Sequence, residues 1–319
     1  MSKIYDKKDT NKTYGETLAR LGEKCQELVV VEADLMKASG SLPFKEKFPK
    51  RHLNVGISEQ DLLGFAAGLA LAGKIPFASS FACFISQRAC DQAVNAVAYN
   101  RANVKMIGSY AGLTGEKNGG THISVLDLAI FRCIPHIQVF DPGDAVEFAA
   151  ILEYALEYDG PVYIRSNKGI HGVFHEAGFK FEAGKAEVLR EGDDIGLITT
   201  GISTLQGILA CEELERAGIC ARHIHMPCIK PPDRIEIAKT AEITGKIVTV
   251  ENHSINGGLG GAVAEALCEC YPAKLKRLGL PDCFGETAKL DWLQHKFGID
   301  ADGIVSAVNE FLDGGSGCN

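Results

Sequence analysis

The stretch DIGLITTGISTLQGILACEELERAGICARHIH, residues 194–225, holds one complete unit of alternating structure. Residues 195–199 read as a short buried strand, and residues 221–225 as a second. Between them, residues 205–217 carry apolar side chains at helical spacing, and Gly218 is placed to cap the helix C-terminus. A strand, a connecting helix and a second strand imply two parallel neighbours in one sheet.

The same alternation recurs on both sides. Strands are expected at 28–31, 104–107, 136–140, 162–165 and 247–251, with longer helix-patterned stretches between them, including 61–71 and 87–99. Near-continuous apolar strands are buried on both faces, which requires helices on both sides of a parallel sheet. The alternation lapses between Arg165 and Asp194, where SNKGIHGVFHEAGFKFEAGKAEVLREGD is rich in glycine and charge. That stretch reads as a linker containing a hairpin. The fold class is therefore α/β, with two parallel-sheet domains at 1–185 and 186–319. The tail GGSGCN is expected to be disordered.

Of 319 residues, 46% are hydrophobic and 23% charged, as in ordinary globular chains. A net charge of -8 with no basic face argues against a nucleic-acid partner. The polar N-terminus MSKIYDKKDTNKTYGET has no signal-like apolar core, and no apolar run approaches membrane-spanning length, so a cytoplasmic protein with no membrane contact is expected. The eleven cysteines include no CxxC pair, and Cys268-Glu-Cys270 has no nearby histidine to complete a zinc site; reduced thiols are the expected state.

Familiar catalytic signatures are absent: there is no Walker A, HExxH or GxSxG pattern. Gly257-Gly-Leu-Gly-Gly261 lacks the full dinucleotide fingerprint and reads as a tight strand-to-helix turn. Three segments carry more. Asn54-Val-Gly-Ile-Ser-Glu-Gln60 sets a glutamate at the start of a small-residue helix, where a helix-dipole role is the plain alternative. Ser79-Ser-Phe-Ala-Cys-Phe-Ile-Ser-Gln-Arg-Ala89 spaces two phenylalanines three apart, as core residues often are. Gly119-Gly-Thr-His122 puts a histidine in a glycine-rich loop preceded by Ser109-Tyr-Ala-Gly-Leu-Thr-Gly-Glu-Lys-Asn118.

In this order, and with Gly160-Pro-Val-Tyr-Ile-Arg165, Met226-Pro-Cys-Ile-Lys-Pro-Pro232 and Val248-Thr-Val-Glu-Asn-His253, these segments resemble the C-terminal half of transketolases. The resemblance runs from about Tyr14 to Leu312. It implies a thiamine-diphosphate pyrimidine-binding domain followed by a transketolase C-terminal domain, with Glu251-Asn-His253 structural. By resemblance Glu59 is the acid that hydrogen-bonds the cofactor's pyrimidine nitrogen, a role calling for an apolar subunit interface that raises its pKa. Phe81 and Phe84 fall on the positions that stack against the aminopyrimidine, with Ile57, Leu35 and Asp34 also near the cofactor. His122 is implied as the second catalytic residue, reaching substrate hydroxyls and carbonyl oxygen, and Arg165 as the grip on the sugar's anionic end.

No GDG motif occurs, so the resemblance implies a partner: an N-terminal transketolase subunit that carries GDG and holds the diphosphate with Mg2+ (or Ca2+), in an α2β2 assembly. Three positions depart from the family pattern: Asn118 replaces an aspartate, Tyr110 a histidine and Ala38 a serine. Two altered anion contacts point to a ketose whose far end is unlike an ordinary sugar phosphate, such as a sulfonated ketose or an unusual branched sugar phosphate. Competing readings are a deoxyxylulose-phosphate-synthase-like enzyme, a 2-oxoacid dehydrogenase β subunit and a non-catalytic partner subunit.

Overall fold

The structure, a computed structural model, describes residues 4–314, so all but the first residue of the GGSGCN tail lies outside the described residues. In chain order the first half runs β1 (Asp6–Asp9), α1 (Thr10–Lys24), β2 (Leu28–Glu32), α2 (Met36–Ser39), α3 (Leu42–Lys47), β3 (His52–Asn54), α4 (Glu59–Leu71), β4 (Ile75–Phe81), α5 (Cys90–Gln92), β5 (Lys105–Ser109), α6 (Asp127–Cys133), β6 (Gln138–Phe140), α7 (Ala145–Glu157), β7 (Val162–Ser166) and β8 (Ile170–Val173). The second half runs β9 (Glu187–Arg190), β10 (Ile195–Thr199), α8 (Ser203–Arg216), β11 (Ala221–His225), β12 (Cys228–Lys230), α9 (Arg234–Thr244), β13 (Lys246–Ser254), α10 (Leu259–Cys270), β14 (Lys274–Leu280), α11 (Leu290–Lys296) and α12 (Ala301–Leu312).

Two sheets organise the chain. The first has seven strands in the order β12-β6-β7-β5-β4-β2-β3, parallel except for the antiparallel edge strand β12. The second has five, β14-β13-β10-β11-β9, with β9 the antiparallel edge. Both are parallel at their centres, as the apolar strands imply. The unit read first in the sequence is observed directly: β10 and β11 pair in parallel across α8, and Gly218 at φ +83° ends the helix turn.

Alternation along each strand builds the core. In β2, β4, β5 and β7, residues Val30, Phe77, Ile107 and Ile164 face one side and pack on Leu18 of α1 and Phe148 and Ile151 of α7. Their neighbours Val31, Ala78, Met106 and Tyr163 face the other side, towards Leu62 and Ala66 of α4 and Phe131 of α6. That second cluster continues into Ile198, Ile224 and Ile247, so one apolar layer joins the two sheets. In the second sheet Leu197 and Val250 are covered by Leu214 of α8 and Phe311 of α12.

The sequence reading needs three corrections. Residues 166–194 form no local hairpin: β8 pairs with β1 at the other end of the domain, and β9 pairs with β11. The helix expected at 87–99 is not regular: residues 84–98 form wide π-type turns around α5. Strand β4, central to the first sheet, is not evident in the sequence because IPFASSF is dominated by small and polar residues that signal a strand weakly. Among the described residues, no helix is long and apolar enough to cross a membrane, and ten cysteines are free.

Leu197 is fully buried at the centre of the second sheet. Leu197→Ala is expected to cost about 2–5 kcal/mol, read as a lower denaturant midpoint at unchanged slope.

Candidate functional site

In open parallel sheets, ligands bind beyond the carboxyl ends of the strands. The residues singled out in the sequence gather along that edge of the seven-stranded sheet. Phe81 ends β4, Tyr110 follows β5, Asp34 lies two residues past β2, and Lys168 lies two past β7.

Glu59 is the first residue of α4 and is buried. Its Oε1 accepts a hydrogen bond from Ser80 Oγ at 2.9 Å, and its Oε2 pairs with Arg88 at 2.5 Å. The carboxylate thus has a cationic neighbour in this chain, in place of the wholly apolar surround expected of it. Arg88 also lies 4.2 Å over the Phe84 ring. From Phe84 the aromatic contacts run on: 5.0 Å to His122 edge-on, 5.9 Å to Phe81, and from Phe81 4.5 Å to Tyr110. Lys168 Nζ lies 4.5 Å above the Tyr110 ring. Glu59, Arg88, Phe84, His122, Phe81, Tyr110 and Lys168 therefore form one continuous wall.

Thr121 Oγ1 sits 2.9 Å from His122 Nδ1, which orients the ring; Nε2 is not hydrogen-bonded among the described residues. Tyr110 takes the left-handed conformation, φ +57°, at the abrupt turn out of β5. Asn118 is exposed at the end of the following loop. On the other side of Glu59, Asp34 exchanges two hydrogen bonds with Asn54, 2.9 and 3.0 Å. Asp34, Leu35 and Ala38 line a cavity of about 300 Å³ shared with Lys45 and His52. Ile57, in the loop before α4, is 76% exposed.

Arg165 is a correction. It is completely buried and does not reach the cleft. Its Nε and one terminal nitrogen clasp Asp127 at 2.7 and 2.8 Å, and the other terminal nitrogen reaches Asp141 and the Asn252 carbonyl, both at 3.1 Å. Burial alone would raise the Asp127 pKa, but the Arg165 charge outweighs it and holds the group down to about 2. A guanidinium committed this fully has nothing left for a ligand. The cations that do face the site are Arg88 and, three residues on from Arg165, Lys168. Sequence reasoning missed both Lys168 and Arg88. The signal for Lys168 was its place just past a strand end, which three residues of register conceal.

The glycine run 257–261 is the turn into α10, as expected. The Glu251 carboxylate fills it, accepting from Leu259 N and Gly260 N at 2.7 and 2.8 Å, where a phosphate would otherwise sit.

An aromatic and ionisable wall at the carboxyl edge of a parallel sheet, with a buried glutamate at a helix start, stands where α/β enzymes place their binding sites. The model of the transketolase pyrimidine binding domain matches residues 6–172, and that of the transketolase C-terminal domain matches 184–304. The chain belongs to the transketolase family, as a C-terminal section. It is 44% identical over 301 residues to the 6-deoxy-6-sulfo-D-fructose transketolase subunit SqwH of Clostridium sp. (strain MSTE9), covering 94% of each chain. It is 36% identical to one subunit of the apulose-4-phosphate transketolase of Actinobacillus succinogenes, over 88% of this chain and 90% of that one. Among solved structures, a split gene transketolase, described as an inactive beta4 tetramer, superposes with a TM-score of 0.89 at 41% identity, covering 96% and 98% of the two chains. The synthase-like, dehydrogenase and non-catalytic readings are not favoured.

Arg165→Met leaves Asp127 and Asp141 buried without their counter-charge, and is expected to destabilise the chain by about 3–5 kcal/mol in denaturant titration. The Asp127 contribution is present above pH 3.8, where the unfolded carboxyl is ionised, and is lost as pH falls towards about 2.

Proposed function

We propose that this chain is the C-terminal subunit of a thiamine-diphosphate-dependent transketolase that moves a two-carbon ketol unit from a sulfonated ketose to an aldose acceptor. The observation that carries the proposal is the continuous wall from Glu59 to Lys168, which presents an acid, a stacking surface, a hydrogen-bonding imidazole and a cation in sequence.

The residues fit the cofactor's pyrimidine half. Phe81 and Phe84 offer an aromatic stacking surface for a flat heteroaromatic ring, and Glu59 shares Arg88 with Phe84, which sets its carboxylate on the same wall. Leu35, Ile57 and Asp34 line the approach. When bound, thiamine diphosphate supplies a nucleophilic carbon for attack on a ketose carbonyl. Glu59 holds a proton at the ring nitrogen. His122, through Nε2, orients substrate hydroxyls and moves a proton at the carbonyl oxygen. Asn118 and Tyr110 border the sugar, and Lys168 takes the role first given to Arg165, holding the terminal anion.

A lone ammonium suits a sulfonate, which carries one negative charge, better than a phosphate carrying about two. The relative named for 6-deoxy-6-sulfo-D-fructose supports this choice. The relative named for apulose-4-phosphate supports a second reading, in which the donor is a phosphate ester.

No GDG motif occurs in this chain to hold a diphosphate. The proposal therefore includes an N-terminal subunit carrying GDG, which holds most of the Mg2+ (or Ca2+) coordination, in a cytoplasmic α2β2 enzyme. Support comes from apolar surface beside Glu59: Ile57, Phe65, Leu71 and Tyr99 are exposed, and Gly64 and Gly68 of α4 face open space. We place the domain division at residue 185, just before β9 opens the second sheet.

Ketol transfer is expected only when this chain is mixed with its GDG partner, cofactor and Mg2+, and Glu59→Ala should lower it by at least about 100-fold. With the mixed enzyme, 6-deoxy-6-sulfofructose should outcompete fructose 6-phosphate as donor; a strong preference for the phosphate sinks the sulfonate assignment. Lys168→Ala should raise donor KM by about 10- to 100-fold while the thermal midpoint stays put.

A further inference from the structure

Away from the cleft, where the two sheets meet, five ionisable side chains come together without a role in the chemistry above. Glu147 lies in the first turn of α7, His225 ends β11 in the second sheet, and His175 lies on the segment that crosses between them. All three are buried, and their ligand-type atoms lie within 4.8 Å of one another. Glu147 Oε2 is 2.7 Å from His225 Nε2. On the other side, His175 Nε2 is 2.9 Å from Oε2 of Glu187, the first residue of β9.

The outward-facing nitrogens of both rings are fixed. His225 Nδ1 is 2.8 Å from Thr204 Oγ1, and His175 Nδ1 is 3.0 Å from Asp144 Oδ2. Asp144 is itself immobilised, capping α7 through Val146 N and Glu147 N and accepting from Phe174 N and His175 N. Imidazoles whose far nitrogens are pinned by an oxygen, with their near nitrogens converging on carboxylates, have the arrangement of metal ligands with their supporting contacts.

Two further observations bear on how the charge there is balanced. Glu147 Oε1 is buried and has no hydrogen-bond partner. The ion pairs of Asp144, Glu147 and Glu187 among the described residues are all with these two histidines, so three carboxylates share two imidazoles and no lysine or arginine. Of the three, Asp144 and Glu147 are buried, and buried carboxylate charge is costly unless it is compensated. Space is also kept for close approach: a side chain on Gly143 would lie 2.8 Å from the His225 ring and 2.6 Å from Phe174.

We propose that Glu147, His175 and His225, completed by Glu187, form a binding site for a divalent cation of the zinc class at the junction of the two sheets. Two imidazole nitrogens and carboxylate oxygens are a zinc donor set rather than one for Mg2+ or Ca2+, which take oxygen alone. Bonds of about 2.0–2.1 Å in a tetrahedron set ligand atoms about 3.3 Å apart, so the hydrogen-bonded pairs open slightly as the ion enters. Each proton shared between an imidazole nitrogen and a carboxylate leaves to solvent as the cation replaces it. Entry is from the Glu187 side, where that side chain is 42% exposed. The ion joins α7, the crossing segment and β11, fixing the second sheet against the first.

The test uses the full chain, stripped with a chelator and titrated with Co2+. One equivalent should bind with the visible absorption of four-coordinate Co2+, without thiolate charge-transfer bands, and Zn2+ should displace it. Thr204→Val, which removes only the oxygen orienting His225, should weaken binding about 10- to 100-fold. His225→Gln should abolish the signal. No such absorption from the wild-type chain overturns the proposal without reference to any variant's folding. So does a thiolate-type spectrum, which would place the ion at exposed cysteines such as Cys220, Cys268 or Cys270. A Co2+ spectrum unchanged in both variants overturns it as well.

Discussion

The structure depends on one buried charge cluster. Arg165 leaves the end of a central strand with no water to solvate it, and only Asp127, Asp141 and two backbone carbonyls make that burial tolerable. Those partners come from separate places: Asp127 from α6, Asp141 from the turn after β6, Ser124 from the glycine-rich loop region and Asn252 from β13 of the second sheet. Asn252 then turns its side-chain oxygen to Leu113 N, steadying the loop that leads to His122. Asp141 accepts from Gly201 N through its carbonyl and donates its N–H to the Pro227 carbonyl, tying the same knot to both ends of the α8 unit. A single cation thus fixes how the two sheets meet and where the loop carrying His122 lies.

That fixed junction lets the cleft be assembled from strand ends. Parallel strands β2, β4, β5 and β7 deliver side chains to one edge at regular spacing, so Asp34, Phe81, Tyr110 and Lys168 line up without long-range folding of the loops. Glu59 arrives from the opposite direction at the start of α4. Exposed apolar side chains, Ile57 and Phe65 among them, lie on the loop before α4 and on α4 itself.

Much of this was legible in the sequence. The apolar runs located β10 and β11 to the residue, and the ordered motifs placed Glu59, Phe81, Phe84 and His122 in one family's pattern; the structure brings them into one wall. Other features were hidden for definite reasons. Strand β4 has a central position but a composition rich in serine, alanine and phenylalanine, and Ser80 within it is kept polar to hold Glu59. Strands β8 and β9 find partners more than a hundred and more than thirty residues away, distances over which local pattern carries no signal. Arg165 and Lys168 cannot be told apart by type, since both are cations near the same strand end.

The sequence by itself determined the fold class, because strand and helix periodicity is a local property that solvent exclusion enforces along the chain. It also determined the family, because the motif order survives in the linear text. Only the tertiary structure decided that Lys168, and not Arg165, faces the cleft. Side-chain direction at a strand end turns on whether a residue points into the sheet's cover or past its edge, and the buried carboxylates waiting beneath Arg165 come from segments distant in sequence. The same holds at the junction of the sheets, where Glu147, His175 and His225, far apart in the chain, become neighbours through packing alone.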